Sequence, residues 1–353
     1  MVMKNVHIWL PTYLWQILSR PVKKAIVGCS QPVHIYFCFV DHFEPKWKKP
    51  SKEIERQRVD IWCEKYPNLA RKHKDSEGKY PQHTFFYPEE EYEEEYLDEL
   101  AKLCRMGYGD VEIHLHHEND TAENLKSKLI HFKKVLYERH GLLRKNPEDS
   151  EIIFGFIHGM WALDNSRGDG KWCGVNNELK VLGECGCYAD FTLPSAPSDT
   201  QTKKINSIYY ATNNTNKSKS HNTGIDVEVG KRSSGDLMIM QGPLALNWKW
   251  KKYGIFPRIE NGDISHHNPP TKDRVNLWVR QNICVKGAPD KIFIKVHTHG
   301  AQESNFPVLL GKPMDEMFSY LETECNDGGK YVLHYVTAWE MFKIIKEIEN
   351  GKK

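Results

Sequence analysis

His83-Thr84-Phe85-Phe86-Tyr87-Pro88 leads, through one helix, to Val111-Glu112-Ile113-His114-Leu115-His116-His117-Glu118-Asn119-Asp120, and these two segments decide the fold class. The first is short, apolar and aromatic; the second alternates apolar and polar residues, so both read as strands. Between them Pro88 opens a helix whose first turns carry Glu89 to Glu95, and Lys102 and Arg105 lie near its end before Gly107. That charge order complements the helix dipole. Tyr92, Tyr96, Leu97, Leu100, Leu103 and Cys104 recur at helical spacing and form its buried face. Strand, helix and strand in this order make the βαβ unit of a parallel sheet.

The alternation extends in both directions. Val33 to Val40 is nearly continuous in apolar, β-branched and aromatic residues, as in a strand buried on both faces. Ser51 to Tyr66 reads as a helix capped by Ser51, although Arg58 interrupts its apolar stripe. Thr121 to Arg139 and Asn176 to Glu184 read as helices, Glu151 to Ile157 and Cys187 to Phe191 as strands. Further strands are expected at Leu237 to Met240, Lys291 to Val296 and Tyr331 to Val336, with helices near Thr271 to Asn282, Pro313 to Thr323 and Ala338 to Ile348. The expectation is an α/β protein, with residues 31–349 as one domain and a long polar insertion at about 194–235.

At 353 residues, 39% hydrophobic and 11% aromatic, the chain has ample material for one large core. Lys plus Arg is 49 against 47 for Asp plus Glu, so no net field points to nucleic acid. No stretch reaches a membrane-spanning length, and a cytoplasmic protein is expected. Residues 1–30 are the one candidate for docking on a membrane surface or partner; packing outside the core is the simpler expectation. The nine cysteines have no disulfide-scaffold spacing. Cys185-Gly186-Cys187, with Cys173 nearby, could hold a metal, but free buried thiols are the simpler reading. Trp161, Trp248 and Trp250 suit stacking on sugar faces and suit packing equally.

The candidate chemistry lies at strand ends. His114 and His116 are two apart on a strand and share a face, and carboxylates follow at Glu118 and Asp120. Imidazole and carboxylate are common ligands of zinc and similar divalent ions. Asp41, His116, His158, Asp190, His297 and His299 all fall at the carboxyl ends of expected strands, where barrel enzymes build their active sites.

The motif order resembles the polysaccharide deacetylase (NodB-homology) superfamily. Phe39-Val40-Asp41-His42 stands at the family's first motif, His83-Thr84-Phe85-Phe86 at the second and Glu112-Ile113-His114-Leu115-His116 at the third. Cys187-Tyr188-Ala189-Asp190, Lys295-Val296-His297 and Tyr335-Val336-Thr337-Ala338 follow at the later ones. The resemblance implies a distorted (β/α) barrel of seven or eight strands that removes N- or O-acyl groups from sugars with a divalent metal, zinc first among them. It implies Asp41, His116 and Asp120 as metal ligands, with Asp120 where the family has a second histidine. His297 would be the general acid and His299 its alternate. Val40 stands where the family has its base; Glu44, at the same strand end, is the replacement nominated, with Asp190 second. His114, His117, His158 and Asp164 complete the candidates as substitute ligands, supporting groups or substrate contacts. The partner expected is a carbohydrate or nucleotide sugar. Two rivals remain: a metal-free glycoside hydrolase using Glu44 and Asp190 as paired carboxylates, and a non-catalytic carbohydrate-binding barrel.

Overall fold

The computed structural model describes residues 4–26, 32–232 and 234–351. Its strands are β1 (Val33–His42), β2 (His83–Pro88), β3 (Gly109–Leu115), β4 (Arg144–Lys145), β5 (Ile152–His158), β6 (Cys187–Asp190), β7 (Ile208–Ala211), β8 (Ile225–Asp226), β9 (Leu237–Met240), β10 (Ala245–Lys252), β11 (Phe256–Glu260), β12 (Lys291–Thr298) and β13 (Tyr331–Tyr335). Its helices are α1 (Leu10–Ile26), α2 (Lys52–Ala70), α3 (Glu94–Arg105), α4 (Ala122–His140), α5 (Glu178–Glu184), α6 (Lys272–Gln281), α7 (Phe306–Leu309), α8 (Lys312–Glu324) and α9 (Ala338–Glu349).

Eleven strands form one sheet in the order β12-β1-β2-β3-β5-β6-β9-β7-β8, with β13 also on β1 and β4 on β5. Pairing is parallel from β12 through β9; β4, β7 and β8 add antiparallel pairs. The result is a mixed α/β fold built on a large, mostly parallel sheet. Segments after β6 and β11 also approach β12: Lys295 Nζ donates to the carbonyls of Phe191 and Leu193, and Asp263 bridges to His297 in parallel.

Side-chain parity sorts the sheet into two faces. On β1, Ile35, Phe37 and Phe39 enter the apolar layer under the helices, where Val111, Ile113 and Leu115 of β3 and Phe154 and Phe156 of β5 join them. Tyr36, Cys38 and Val40 enter the layer on the other, here inner, face with Phe86, Ile157 and Phe293, and of the helices α9 packs there through Met341 and Ile345. Any polar residue at a strand end is therefore delivered to one of two places. Its parity decides which.

The helices begin and end near their expected positions for local reasons. Thr121, Thr271 and Thr337 accept from the backbone N–H three residues on, and Glu340 completes a capping box with Thr337. Gly141 and Asn282 end α4 and α6 in the left-handed conformation. Helix α3 starts later than its sequence predicts: Glu89–Glu91 form a separate short turn, with Glu91 accepting from Lys46 N and Glu90 reaching His116. Arg58 does not break α2 but is buried, bonding Glu303 and the carbonyls of Pro45 and Trp47.

The polar insertion is more ordered than its composition suggests. It supplies β7 and β8, and Gln201 and Asn206 are buried because their amides bond backbone groups of Ser195, Ala196 and Leu244. The β10–β11 hairpin was not expected; it carries Trp248, which is exposed, and Trp250, whose ring Arg258 covers. At the N-terminus, Val6, Trp9 and Tyr13 pack against Ala196, Ile205 and Leu244–Leu246, the simpler of the two expectations for this segment. No described helix is long and apolar enough to cross a membrane.

Candidate functional site

Two groups of metal-type side chains stand at the carboxyl ends of β1, β3 and β5, on opposite faces of the sheet. The first belongs to the inner face. Glu44, just past β1, places Oε1 3.4 Å from His114 Nε2 and 3.1 Å from His116 Nε2. His114 is fully buried, and its Nδ1 donates to the Ile157 carbonyl at 2.8 Å. A carbonyl only accepts, so in the neutral ring the hydrogen is on Nδ1 and Nε2 turns a lone pair towards a carboxylate oxygen. That approach is repulsive unless a proton or a cation lies between them. His116 is in the same situation with both nitrogens occupied, since its Nδ1 lies 2.5 Å from Glu90 Oε1.

Burial opposes charge on His116, but its hydrogen bonds to Glu44 and Glu90 outweigh that and push its pKa up to about 10. Burial likewise works against ionised Glu44, yet the imidazoles of His114 and His116 beside it hold it well below the usual carboxylate range. A histidine facing two carboxylates, with a second histidine beside it, is what a cation-binding site looks like when a proton takes the cation's place.

Around this group lies a wall of rings. His42 sits with its centroid 4.7 Å from His299, 5.0 Å from His114 and 6.2 Å from both His297 and Trp161. Burial, then the neighbouring His299, drives the pKa of His42 well below its ordinary value. Burial does the same to His297, with Lys295 next. Trp161 reaches the mouth because Met160 and Trp161 take left-handed φ values of 53° and 55°. Such values are uncommon for bulky residues and concentrate at functional sites. Its indole Nε1 is buried without a hydrogen-bond partner. Gly159 gives His116 its place: a Cβ there would lie 2.2 Å from the imidazole.

The second group faces the helices. His117 Nε2 and His158 Nε2 lie 3.0 and 3.3 Å from Glu178 Oε1, and Cys173 Sγ lies 3.5 Å from Glu178 Oε2. All four residues are buried, and one ligand atom from each fits within 4.8 Å of the others. Glu178 is the first residue of α5, and burial of its carboxylate is more than offset by His158 and His117, which hold it well below its ordinary pKa.

The structure brings some sequence candidates together and separates others. His114, His116 and Glu44 meet, with His297 and His299 across the mouth. Asp41 is not among them. It has the parity of Phe37 and Phe39, points under the helices, pairs with His83 Nε2 at 2.9 Å and accepts from Gly300 N at 2.6 Å. Asp120 lies beside His117 and caps its own loop through Asn124. Among the described residues, Asp41, His116 and Asp120 therefore form no common ligand set. Asp190 is buried and accepts from Thr192; burial pushes its pKa up, and burial likewise pushes that of Lys295 down. Asp164 is buried by its left-handed turn and accepts from Ser220 N, and burial raises its pKa to about 8. His158 and His117 are together, at the second group. Cys185 and Cys187 stand apart from Cys173 in this respect and join no such group.

Sequence reasoning missed His42, Glu90, Glu178 and the fully buried His221, neither of whose ring nitrogens has a hydrogen-bond partner, and it grouped Cys173 with Cys185 and Cys187 instead of with histidines. For His42 a signal was present: it shares parity with Tyr36, Cys38 and Val40, the inner face. Comparison with known protein families and with curated proteins finds no match. The site has to be read from its own geometry.

Proposed function

We propose that this chain is a metal-dependent hydrolase that removes an N- or O-acyl group from an amino sugar or polysaccharide precursor. The observation that carries the reading is the convergence of Glu44, His114 and His116 at the ends of β1 and β3, with lone pairs facing a carboxylate and a ring of imidazoles across the mouth. Two histidines and one carboxylate form a donor set used by catalytic zinc, with a coordination position left open. The same set serves ferrous iron, and elemental analysis separates the two. The approach of Lys295 and His297 to the segments after β6 and β11 supports a sheet curled into a distorted (β/α) barrel of the polysaccharide deacetylase kind.

When bound, the ion would polarise an acyl carbonyl and lower the pKa of a water molecule. The chain's own residues do the rest. Glu90 fixes the ring of His116 through Nδ1, and the Ile157 carbonyl does the same for His114. With Glu44 among the ligands, proton transfer falls to the imidazoles opposite: His297 and His299, flanked by His42. Val40, at the position of the family's base, is packed in the inner apolar layer and takes no part. Trp161 offers an indole at the rim to a sugar ring.

The test is acetate release from acetylated amino sugars and their oligomers by chain loaded with zinc, cobalt or manganese. Turnover that requires metal and is lost in His116→Ala supports the reading. Metal-independent cleavage of a glycosidic bond, or a mouth that takes up no ion in excess metal, overturns it.

A further inference from the structure

The helix-facing cluster does not belong to the mouth, because His117 has the opposite parity to His116 and lies under the loop joining β5 to α5. We propose that it is a second, structural zinc site, held by His117, His158, Cys173 and Glu178. Two histidines, a thiolate and a carboxylate make four donors, the full complement of a closed tetrahedral site. Zinc at 2.0–2.3 Å from each donor sets donor-to-donor edges of roughly 3.3–3.8 Å. The two imidazole contacts to Glu178 Oε1 are 3.0 and 3.3 Å, Cys173 Sγ lies 3.5 Å from the other carboxylate oxygen, and one ligand atom from each residue fits within 4.8 Å of the others.

Hydrogen placement points the same way. His158 Nδ1 donates to the Gly159 carbonyl at 2.6 Å, so Nε2 faces Glu178 with its lone pair, and this nitrogen is buried with no hydrogen-bond partner. His117 has two options. If Nε2 donates to Glu178, then Nδ1 turns a lone pair to Asp120 Oδ2, 3.2 Å away, and both of those atoms are indeed buried without a hydrogen bond. If Nε2 binds a metal, the hydrogen moves to Nδ1 and faces the Asp120 carboxylate. A single tautomer change then satisfies two orphaned atoms, which is the carboxylate–histidine–zinc arrangement. Glu178 is braced in turn, since its Oε2 accepts from Asp164 N at 2.5 Å.

The backbone is shaped to allow this closure. Asp120 N donates to the Cys173 carbonyl at 3.0 Å. Gly174 follows at φ 100°, where a Cβ would come within 2.6 Å of Asp120 N. An ion here would fasten the loop of residues 159–177 to the ends of β3 and β5. That loop has little regular structure of its own and carries Trp161 to the mouth.

The experiment is cobalt substitution of the full chain, in wild type, His116→Ala, Cys173→Ser and the double variant, with zinc counted in parallel. Thiolate-to-cobalt charge transfer is a signature that the mouth, which has no cysteine among its ligands, cannot give. The expected result is a thiolate band in wild type that persists in His116→Ala and disappears in Cys173→Ser. His116→Ala should hold about one zinc, and the double variant should lose it. A cobalt-loaded wild type without the band overturns the site, as does a double variant that keeps the zinc of His116→Ala. If Cys173→Ser does not fold, the wild-type spectrum still decides. Loss of acyl hydrolysis with the band intact would instead count against the mouth alone.

Discussion

His116 and His117 are adjacent in the chain, yet they belong to two clusters built on different terms. At the mouth, His116 is partly exposed, its partners are carboxylates from separate loops, and the rings of His42, His297 and His299 lie beside it without joining its ligand group. Under the β5–α5 loop, every member of the cluster is buried, and the groups behind His117, His158 and Glu178 are already in place. An open donor set with free imidazoles nearby suits turnover; a closed one with four donors suits holding a loop. The difference rests on strand parity. One residue of displacement sends a side chain to the other face.

The largest effect should come from breaking the mouth. His114→Ala or His116→Ala is expected to remove its ion and reduce acyl hydrolysis by about 10³-fold or more, the range set by losing metal-assisted chemistry and proton transfer together. Zinc counting and steady-state rates check it, and the cluster under the loop should keep its metal. If both sites empty together, they are one coupled unit and the comparison fails.

Next is the closed cluster. Cys173→Ser should lower thermal stability while leaving the mouth's donors untouched. Zinc bound to the folded state alone, at 100–1,000 times its Kd, stabilises by about 3–4 kcal/mol. Melting curves with and without a tight chelator measure this. The chelator should destabilise wild type substantially and Cys173→Ser little.

These expectations also show what was legible beforehand. Short apolar and aromatic runs placed β1, β2, β5, β6, β9, β12 and β13, while period-two alternation placed β3 and put His114 and His116 on one face. The same rule applied to β1 would have chosen His42 over Asp41, because Asp41 follows Phe37 and Phe39 to the helix side. Motif resemblance favoured the aspartate; parity decides where it points. Nothing local tied Cys173 or Glu178 to His117, since they lie over 50 residues beyond it and meet it only through the folded loop. The strands inside the insertion went unread for a related reason. Apolar periodicity reports burial by hydrophobic contact, whereas Gln201 and Asn206 are buried by satisfied hydrogen bonds.

A smaller change sharpens the account of the mouth. Glu90 touches no proposed open position, but it holds Nδ1 of His116 at 2.5 Å. Glu90→Gln should weaken metal affinity there by roughly 10–100-fold, the usual result of removing a carboxylate behind a ligating histidine. At saturating metal most of the rate should return, which separates positioning from direct participation. A rate that stays low at saturation would assign Glu90 to the chemistry itself.

The smallest effect belongs to a histidine outside both sites. His73 is buried, with Nδ1 3.2 Å from Glu322 and Nε2 3.3 Å from Asp315, so each nitrogen has a carboxylate of its own. No third donor joins them among the described residues, and this is how a plain ion-paired histidine looks. Burial lowers its pKa, but the bonds to Glu322 and Asp315 prevail and raise it above 6.5. The charged form is thus favoured in the folded state. Its contribution to stability is complete below pH 6.5 and is lost as pH rises through the higher folded value. His73→Gln should remove about 0.5–1 kcal/mol in mildly acid solution and progressively less towards alkaline pH, as suits a pair whose carboxylates are partly exposed. Urea denaturation of both proteins across that range measures the gap, and chelator should leave it unchanged. A gap that responds to chelator would mean that a histidine between carboxylates is enough to hold an ion in this fold, and the distinction drawn from lone pairs at the other two clusters would lose its force.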